Sequence, residues 1–340
     1  MADKANIRVS IHEQWEADGL LIDGEYYVPY QMIEQAFGTE KTFWSRERLL
    51  DIRLTNGKIR TIAPYVTRGN YFRYDLSRVE NWAVTFDAAG IPTTSHGSNP
   101  VYNPSTISLY GLQNYSLYLL NNAKEYRERF LLVANWLVDH QDELGGWAYT
   151  FDHPFLPHRV STLRAPWYSA IGLGMALSVL SRATLLTDDK RFLDAAVRVV
   201  PLFQKNVAEG GVRSQFEETY DFYEECPTTP SSFILNGFMF SLIGLYDLHT
   251  ASNQEDAHHL FQSGMRTLKR MLSLYDLGNR TAYDLTHYTG ASGAPNIAKW
   301  GYHITHIHLL EALNSIQQSD EFETTLHRWK GYLKGESGGV

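Results

Sequence analysis

The apolar residues of this chain change period near residue 100, and that switch limits the fold more than any single motif. Beyond it they recur three and four apart, the spacing of one buried helix face. This predicts helices over residues 105–122, 125–142, 168–187, 190–207, 231–250, 255–275, 303–317 and 321–334. Short connections such as Thr187-Asp188-Asp189 make each pair antiparallel. The links between pairs are longer, carrying Gly145-Gly146-Trp147, Tyr223 to Pro230, and Tyr283 to Lys299. The expected fold is mainly α, an α/α toroid-like barrel of about four helical hairpins with its long loops at one mouth, where function is usually carried. A small β-rich region over residues 1–99 precedes an α/α-barrel domain over residues 100–340.

In that first region the pattern is strand-like. Asn56-Gly57 lies between alternating segments within residues 50–63, a strong hairpin signal. A second strand pair is expected at residues 71–74 and 82–86, and residues 88–104, rich in Gly, Pro, Ser, Thr and Asn, read as a loop.

A net charge of −8 argues against nucleic acid as a partner, since a protein that tracks a phosphate backbone normally has a basic excess. A local basic cluster would still suffice for an anionic sugar chain. The single cysteine, Cys226, has no intramolecular disulfide partner, and no Cys/His set has zinc spacing, so neither metal nor cofactor is expected. Met1 to Leu20 is interrupted by charges and carries no export signal, and residues 232–248 are too broken by Asn236 and Asp247 to cross a membrane. A cytoplasmic chain without membrane contact is the expectation. The 21 tyrosines suit sugar rings, although a tyrosine is more often half-buried packing.

Three loop clusters carry candidate chemistry. In the first, Glu224-Glu225-Cys226-Pro227 precedes a helix start. Adjacent carboxylates tend to raise one pKa, which suits a general acid or base, while a solvated acidic loop with Ser231 or Ser232 as helix cap is the alternative. The second is Tyr283-Asp284-Leu285-Thr286-His287-Tyr288, and the third runs from Asn296 to His308. There His303 and His306 stand one turn apart, a spacing open to metal ligands but better read as hydrogen-bonded histidines, because no third ligand supports a site. Tyr302 precedes the predicted helix, where backbone donors and the helix dipole favour a phenolate. Glu209-Gly210-Gly211 reads as a turn and the glycines of Ile171-Gly172-Leu173-Gly174 as a close helix approach, since neither has the lysine of a phosphate cradle.

Several strings in fixed order resemble one family. They are Trp136-Leu137-Val138 with Gln141-Asp142-Glu143 and Gly145-Gly146-Trp147, Trp167-Tyr168-Ser169-Ala170, Glu224-Glu225 with Pro227 to Phe233, Leu235-Asn236-Gly237-Phe238, Ser273-Leu274-Tyr275-Asp276, Tyr283-Asp284-Leu285, and Pro295-Asn296 through Thr305-His306-Ile307. Together they look like the catalytic domain of the D-glucuronyl C5-epimerases of heparan sulfate and heparosan synthesis, in a compact bacterial-type version. The resemblance is dense over residues 130–335, thinner over 70–118, and absent from the first sixty residues. It implies conversion of D-glucuronic to L-iduronic acid within heparosan or N-sulfated heparosan, an anionic polysaccharide partner, and a possible homodimer. Inversion requires proton removal from C5 on one face, return on the other, and stabilisation of an enolate-like intermediate. Carried over by residue, Glu225 and Tyr302 match the two acid/base positions and Tyr283 a third tyrosine. Tyr71, Arg78, His96, Asn103, Thr106, Asn236 and Asn296 match substrate contacts, with Lys299 as local positive charge. Tyr168, Trp300, His303 and Thr305 complete the expected binding set.

The chain departs from the family pattern at two places: Cys226 stands where a tyrosine is usual, and Thr286 where an arginine is usual. A uronate-polysaccharide lyase, sharing the first chemical step, and an inactive polysaccharide-binding homologue are the rival expectations. A glycoside hydrolase would need a second, distant carboxylate that the sequence does not offer.

Overall fold

The computed structural model describes residues 4–337 apart from 12–14, 33–38, 45–48, 55–58, 60–61, 73–83, 98 and 291–292. Beyond residue 100 its helices are α1 (Pro104–Asn121), α2 (Lys124–Asp139), α3 (Ala170–Thr187), α4 (Lys190–Arg198), α5 (Val200–Gln204), α6 (Leu235–Ser252), α7 (Glu255–Met271), α8 (Thr286–Thr289), α9 (Trp300–Ile316) and α10 (Asp320–Tyr332). Four hairpins result: α1 with α2, α3 with α4, α6 with α7, and α9 with α10.

One helix of each hairpin is apolar nearly all round, and these four pack in chain order, α1 on α3, α3 on α6, and α6 on α9. Their partners α2, α4, α7 and α10 show charged residues on one side, as a helix covered on a single face does. Helix α3 is apolar enough by composition to span a bilayer, yet it is an inner helix with most of its length buried in protein. The same device ends three inner helices. Asn122, Asp188 and Asn253 take left-handed φ of 51°, 57° and 56°, and their N–H groups bond the carbonyl four residues back.

The tightest packing joins α3 to α6. A Cβ on Gly174 would fall 2.5 Å from the Cα of Ser241, and one on Gly244 2.2 Å from the Gly174 carbonyl oxygen, so only glycine permits this approach. Beside it, the fully buried Arg182 of α3 donates to Asp247 Oδ2 of α6 at 2.7 Å and to the Tyr65 hydroxyl at 2.9 Å. Tyr65 also donates its backbone N–H to Ser315 Oγ of α9, while Tyr71 N–H bonds Ser116 Oγ of α1. The segment around residues 65–72 thus bridges the first and last inner helices.

Helix boundaries differ from the periodic reading where other forces intervene. The helix over 190–207 divides at Val199, because Pro201 lacks an N–H and its ring excludes a continuous preceding turn. Helix α6 begins at Leu235 instead of Ser231, after Phe233 at φ 50°. Neither serine is its cap, since the Ser232 hydroxyl lies against Glu224 Oε2 and the Cys226 carbonyl. Residues 272–275 form a 3₁₀ turn beyond α7, and α9 starts three residues early, at Trp300.

The strands are β1 (Lys4–Ile11), β2 (Trp15–Ile22), β3 (Glu25–Tyr27), β4 (Thr39–Trp44), β5 (Leu49–Leu54), β6 (Val84–Phe86), β7 (Pro92–His96), β8 (Asn99–Val101), β9 (Arg213–Phe216) and β10 (Tyr220–Tyr223). The expected Asn56-Gly57 turn lies outside the described residues, and the strand before it, β5, pairs antiparallel with β4. Strand β6 pairs with β7, and β7 with β8, so much of the predicted 88–104 loop is sheet. Its Thr and Ser side chains supply cross-strand bonds, such as Thr85 Oγ1 to Thr93 Oγ1 at 2.7 Å, and its prolines sit at strand ends or on the outer strand. The hairpin β9–β10, which the helical period did not reveal, delivers the chain to Glu224.

Candidate active site

After β10 the backbone is tied to the start of α3. Ala170 N–H donates to the Glu224 carbonyl at 2.9 Å and Ser169 Oγ to the Glu225 carbonyl at 2.6 Å. The two carboxylates then part company. Glu224 is fully buried, accepting from Ser214 Oγ at 2.8 Å, Ser232 Oγ at 2.9 Å and Phe233 N–H at 3.1 Å, and so anchors the 231–234 loop. Glu225 turns instead into a cavity of about 630 Å³ over the first turn of α6, where Asn236 Nδ2 donates to its Oε2 at 3.0 Å and the Gly237 backbone also bonds it. A Cβ on Gly237 would meet that oxygen at 2.3 Å, so the glycine makes room for the carboxylate. Burial pushes Glu225 up to about 7, and donors from Tyr283, Gly237 and Asn236 only partly offset it. Glu224 is also raised to about 7 by burial. Like-charge repulsion, the cause expected from adjacency, ranks behind burial and the three hydrogen bonds in its effect on Glu225.

Tyr283 reaches Glu225 from a scaffolded strand-like segment. Its N–H donates to the Asn296 carbonyl at 2.7 Å, its carbonyl accepts from Leu235 N–H at 3.1 Å, and its hydroxyl donates to Glu225 Oε1 at 3.4 Å. Next to it, the buried Asp284 accepts from Thr286 N–H at 2.9 Å, Thr286 Oγ1 at 2.7 Å and Asn296 Nδ2 at 2.5 Å. Position 286 therefore belongs to this support, where Arg159 Nη1 also reaches the Thr286 hydroxyl at 3.4 Å. Tyr302, in the first turn of α9, meets the Tyr283 ring edge-on with centroids 4.9 Å apart. Its phenol is raised, first by burial and then by the Glu225 charge, which corrects the expected phenolate. Although 44% of Tyr302 is exposed, proximity to a carboxylate in a recess outweighs the helix terminus. Glu225, Tyr283 and Tyr302 form one connected patch.

Of the remaining predicted residues, Asn103, Thr106, Asn236, Lys299 and Thr305 line the same cavity. His96 stands at its rim, exposed on β7 with its ring 4.6 Å from that of Phe151, a cavity residue. Asn296 is buried beneath Tyr283 and positions it. Four others face away. Tyr71 is in the core with the Arg182 guanidinium 5.1 Å from its ring centroid, and the Tyr168 hydroxyl donates to Asp142 Oδ2 at 2.6 Å in the 141–146 turn. Trp300 is covered by the Arg280 guanidinium 4.0 Å from its ring centroid. His303 is fully buried with Nε2 at 3.0 Å from the Trp329 carbonyl oxygen, and its pKa is lowered to about 4 by burial. Sequence neighbours of Tyr168, Trp300 and His303 line the cavity, and along α9 the helical turn sends Trp300 and His303 elsewhere. Arg78 lies outside the described residues. His303 and His306 converge through Nδ1 on the Thr281 hydroxyl, at 3.0 and 2.9 Å, as hydrogen-bonded histidines do. Among the described residues no group of three or more His, Cys, Asp or Glu is arranged to hold a metal.

The sequence reading missed Tyr149, Ser105, Phe151, His153 and Trp167, all of which line the cavity. The Tyr149 ring stacks on Trp167 at 4.3 Å, and its hydroxyl lies 3.2 Å from Ser105 Oγ and 3.3 Å from Asn103 Oδ1. The long loop after Gly145-Gly146-Trp147 was the available signal, but nothing marked one tyrosine among many. Lys299 is the Lys or Arg among the described lining residues, giving an overall acidic chain local positive charge in the cavity that holds Glu225 and its phenols. The arrangement offers a carboxyl that changes charge near neutrality, several protonated phenols, amide donors and flat aromatic rings. It can move a proton at a carbon acid whose negative charge the donors and cation stabilise.

A family model described as D-glucuronyl C5-epimerase C-terminus matches residues 141–331. The chain is 39% identical over 225 residues to D-glucuronyl C5-epimerase of Caenorhabditis elegans, a match covering 63% of this chain and 36% of that protein. It is 24% identical over 205 residues to an uncharacterized protein of Methanocaldococcus jannaschii, covering 56% of this chain and 62% of that one. The matches thus span about a third of one relative and under two thirds of the other. Among solved structures, a polysaccharide lyase superposes with a TM-score of 0.50 at 13% identity, covering 76% of this chain and 70% of that chain, a likeness of fold alone.

Proposed function

This chain belongs to the D-glucuronyl C5-epimerase C-terminus family, and on that premise we propose that it epimerises D-glucuronic acid residues at C5 to L-iduronic acid within a heparosan-type polysaccharide. In this reading residues 100–340 are an α/α toroid-like catalytic domain, and residues 1–99 contribute to the substrate cleft. The observation that carries the proposal is the connected patch of Glu225, Tyr283 and Tyr302 in the wall of one cavity that Lys299 also lines.

The C5 hydrogen lies α to the substrate carboxylate, so its removal places charge on that carboxylate. Glu225, poised near 7, is partly ionised at neutral pH and accepts the proton, a step worth roughly 10²–10⁴-fold in rate. Tyr283, held protonated, donates to Glu225, and Tyr302, also protonated, returns a proton to C5 from the opposite face. Lys299 and the Asn236 amide add electrostatic stabilisation within a recess. Phe151 and Trp167 offer flat faces for sugar rings.

Incubation of the chain with heparosan in deuterated water tests the reading. Deuterium at C5 together with iduronate supports it. Ultraviolet-absorbing unsaturated ends would show a lyase, and binding without exchange an inactive homologue.

A further inference from the structure

Four inner helices begin at the cavity. Thr106 of α1, Ile171 of α3, Asn236 of α6 and Tyr302 of α9 each line it from the first turn of their helix, and Asn236 holds Glu225 at that level. Gln113, Met175 and Phe240 line the same cavity from farther along their helices. Thr106, Leu109 and Gln113 are spaced by three and four residues and so share one face of α1, with Gln113 roughly 10 Å beyond Thr106 along the axis. Met175 and Phe240 lie one turn, roughly 6 Å, beyond Ile171 and Asn236. These side chains make a deep end, remote from the helix starts.

Gln113 stands out there. It is only 6% exposed, Leu109, Met175 and Phe240 share the compartment with it, and no described residue bonds its side-chain amide, whose atoms stay open to the cavity. A buried amide left unpaired is unfavourable, so its partner is whatever enters the cavity. The cation among the described lining residues, Lys299, immediately precedes α9 and stands with the helix starts, at the other end. The deep end therefore offers a hydrogen-bonding amide and apolar contact, without a charged side chain among the described residues.

In heparosan, glucuronate alternates with N-acetylglucosamine, and N-sulfation exchanges the neutral acetyl group for a charged sulfate. A sulfate at the deep end would give up water with no cation in return. An acetamido group instead presents its carbonyl to Gln113 Nε2 and its methyl to Met175 and Phe240. We propose that Gln113 is a specificity-determining residue whose amide receives the acetamido group of the glucosamine beside the reacting uronate, so that the chain selects the N-acetylated polymer over the N-sulfated one. This names the substrate within the epimerase reading above and rests on it.

The test compares the full chain on heparosan and on the same polymer after N-deacetylation and N-sulfation, in deuterated water. Iduronate formation from heparosan should have the higher kcat/KM by about 10-fold or more, and an equal or higher value for the sulfated polymer would overturn the proposal. Gln113→Leu keeps the helix and much of the side-chain volume while removing the amide. It should raise KM for heparosan by about 10-fold or more with kcat little changed, and leave turnover of the sulfated polymer as it was. An unchanged KM, or an equal loss on both polymers, would overturn the assignment. Gln113→Lys places a cation at the deep end and should reverse the preference; a preference that stays with heparosan would show that the substituent does not reach position 113. Should neither polymer exchange at C5, the epimerase reading fails by itself. The dissociation constants of the two polymers then decide on Gln113: heparosan binding tighter, with Gln113→Leu erasing the difference, upholds the subsite, and equal binding refutes it.

Discussion

The Tyr283 hydroxyl donates to Glu225 Oε1 across 3.4 Å, tying a phenol and a carboxyl that are 58 residues apart in the chain. Of the contacts that favour ionised Glu225, this is the foremost, opposing the burial that pushes the group up to about 7. Deleting the phenolic hydroxyl in Tyr283→Phe should therefore raise Glu225 further. The acidic limb of the pH–rate profile for C5 exchange then shifts to higher pH, and the rate at pH 7 falls by about 10-fold or more. A limb at its original position would separate Tyr283 from the titration of Glu225.

Tyr302→Phe keeps the ring that meets Tyr283 edge-on and removes only the hydroxyl, which bonds the Tyr283 side chain. Exchange should drop by about 10²-fold or more, with the melting temperature nearly unchanged because Tyr283 keeps its bond to Glu225. Turnover close to that of the unaltered chain would remove Tyr302 from the proton path.

Glu225 and Glu224 are both raised from ordinary carboxyl values to about 7. A raised carboxyl contributes stability that is present in full below its unfolded pKa, near 4.5, and is lost as pH climbs through about 7. The melting temperature should accordingly decline between pH 4.5 and pH 8 from this pair. Glu225→Gln should abolish C5 exchange and make that decline shallower, since one of the two ionisations disappears. A decline as steep as before would mean that Glu225 does not titrate in this window.

Gly237→Ala places a Cβ 2.3 Å from Glu225 Oε2, within the first turn of α6, where alanine suits the helix backbone. The carboxylate must move, so exchange should fall by about 10-fold or more while circular dichroism remains unaltered. Full activity would show that the carboxylate tolerates displacement.

The helical hairpins were legible because each inner helix buries apolar residues at helical spacing, as in Leu173, Ala176, Leu177 and Leu180. Helix ends were less so. Ser232 has the chemistry of a cap but serves Glu224, a partner eight residues away that only the folded loop brings near. Residues 92–101 read as a loop because Pro, Thr, Ser and Asn also populate turns, and only pairing with Val84–Phe86 makes them sheet. Within the site, Glu225, Tyr283 and Tyr302 could be named from motifs, whereas the direction of each neighbouring side chain could not. Trp300 and His303 flank Tyr302 in sequence, yet helix geometry turns them to Arg280 and Trp329. Tyr149 was hidden because the partners of its hydroxyl, Asn103 and Ser105, stand more than forty residues earlier.

The Arg182–Asp247 pair supports this arrangement from beneath, at a place with no solvent exposure. Arg182 Nη1 lies 2.7 Å from Asp247 Oδ2, the Tyr65 hydroxyl donates to the same oxygen at 2.7 Å, and Arg182 Nη2 donates to Tyr65 at 2.9 Å. The network joins α3, α6 and the segment around residue 65 that bridges α1 and α9. Asp247→Asn removes the counter-charge and leaves a buried guanidinium, which should cost about 3–5 kcal/mol in urea unfolding. Replacing both charges, Arg182→Met with Asp247→Leu, should recover much of that loss, because the main penalty is the unpaired charge and not the missing attraction. If the double variant unfolds at lower urea than Asp247→Asn alone, the network contributes net stability through Tyr65 and the aromatic faces around Arg182, and the desolvation argument fails for this pair.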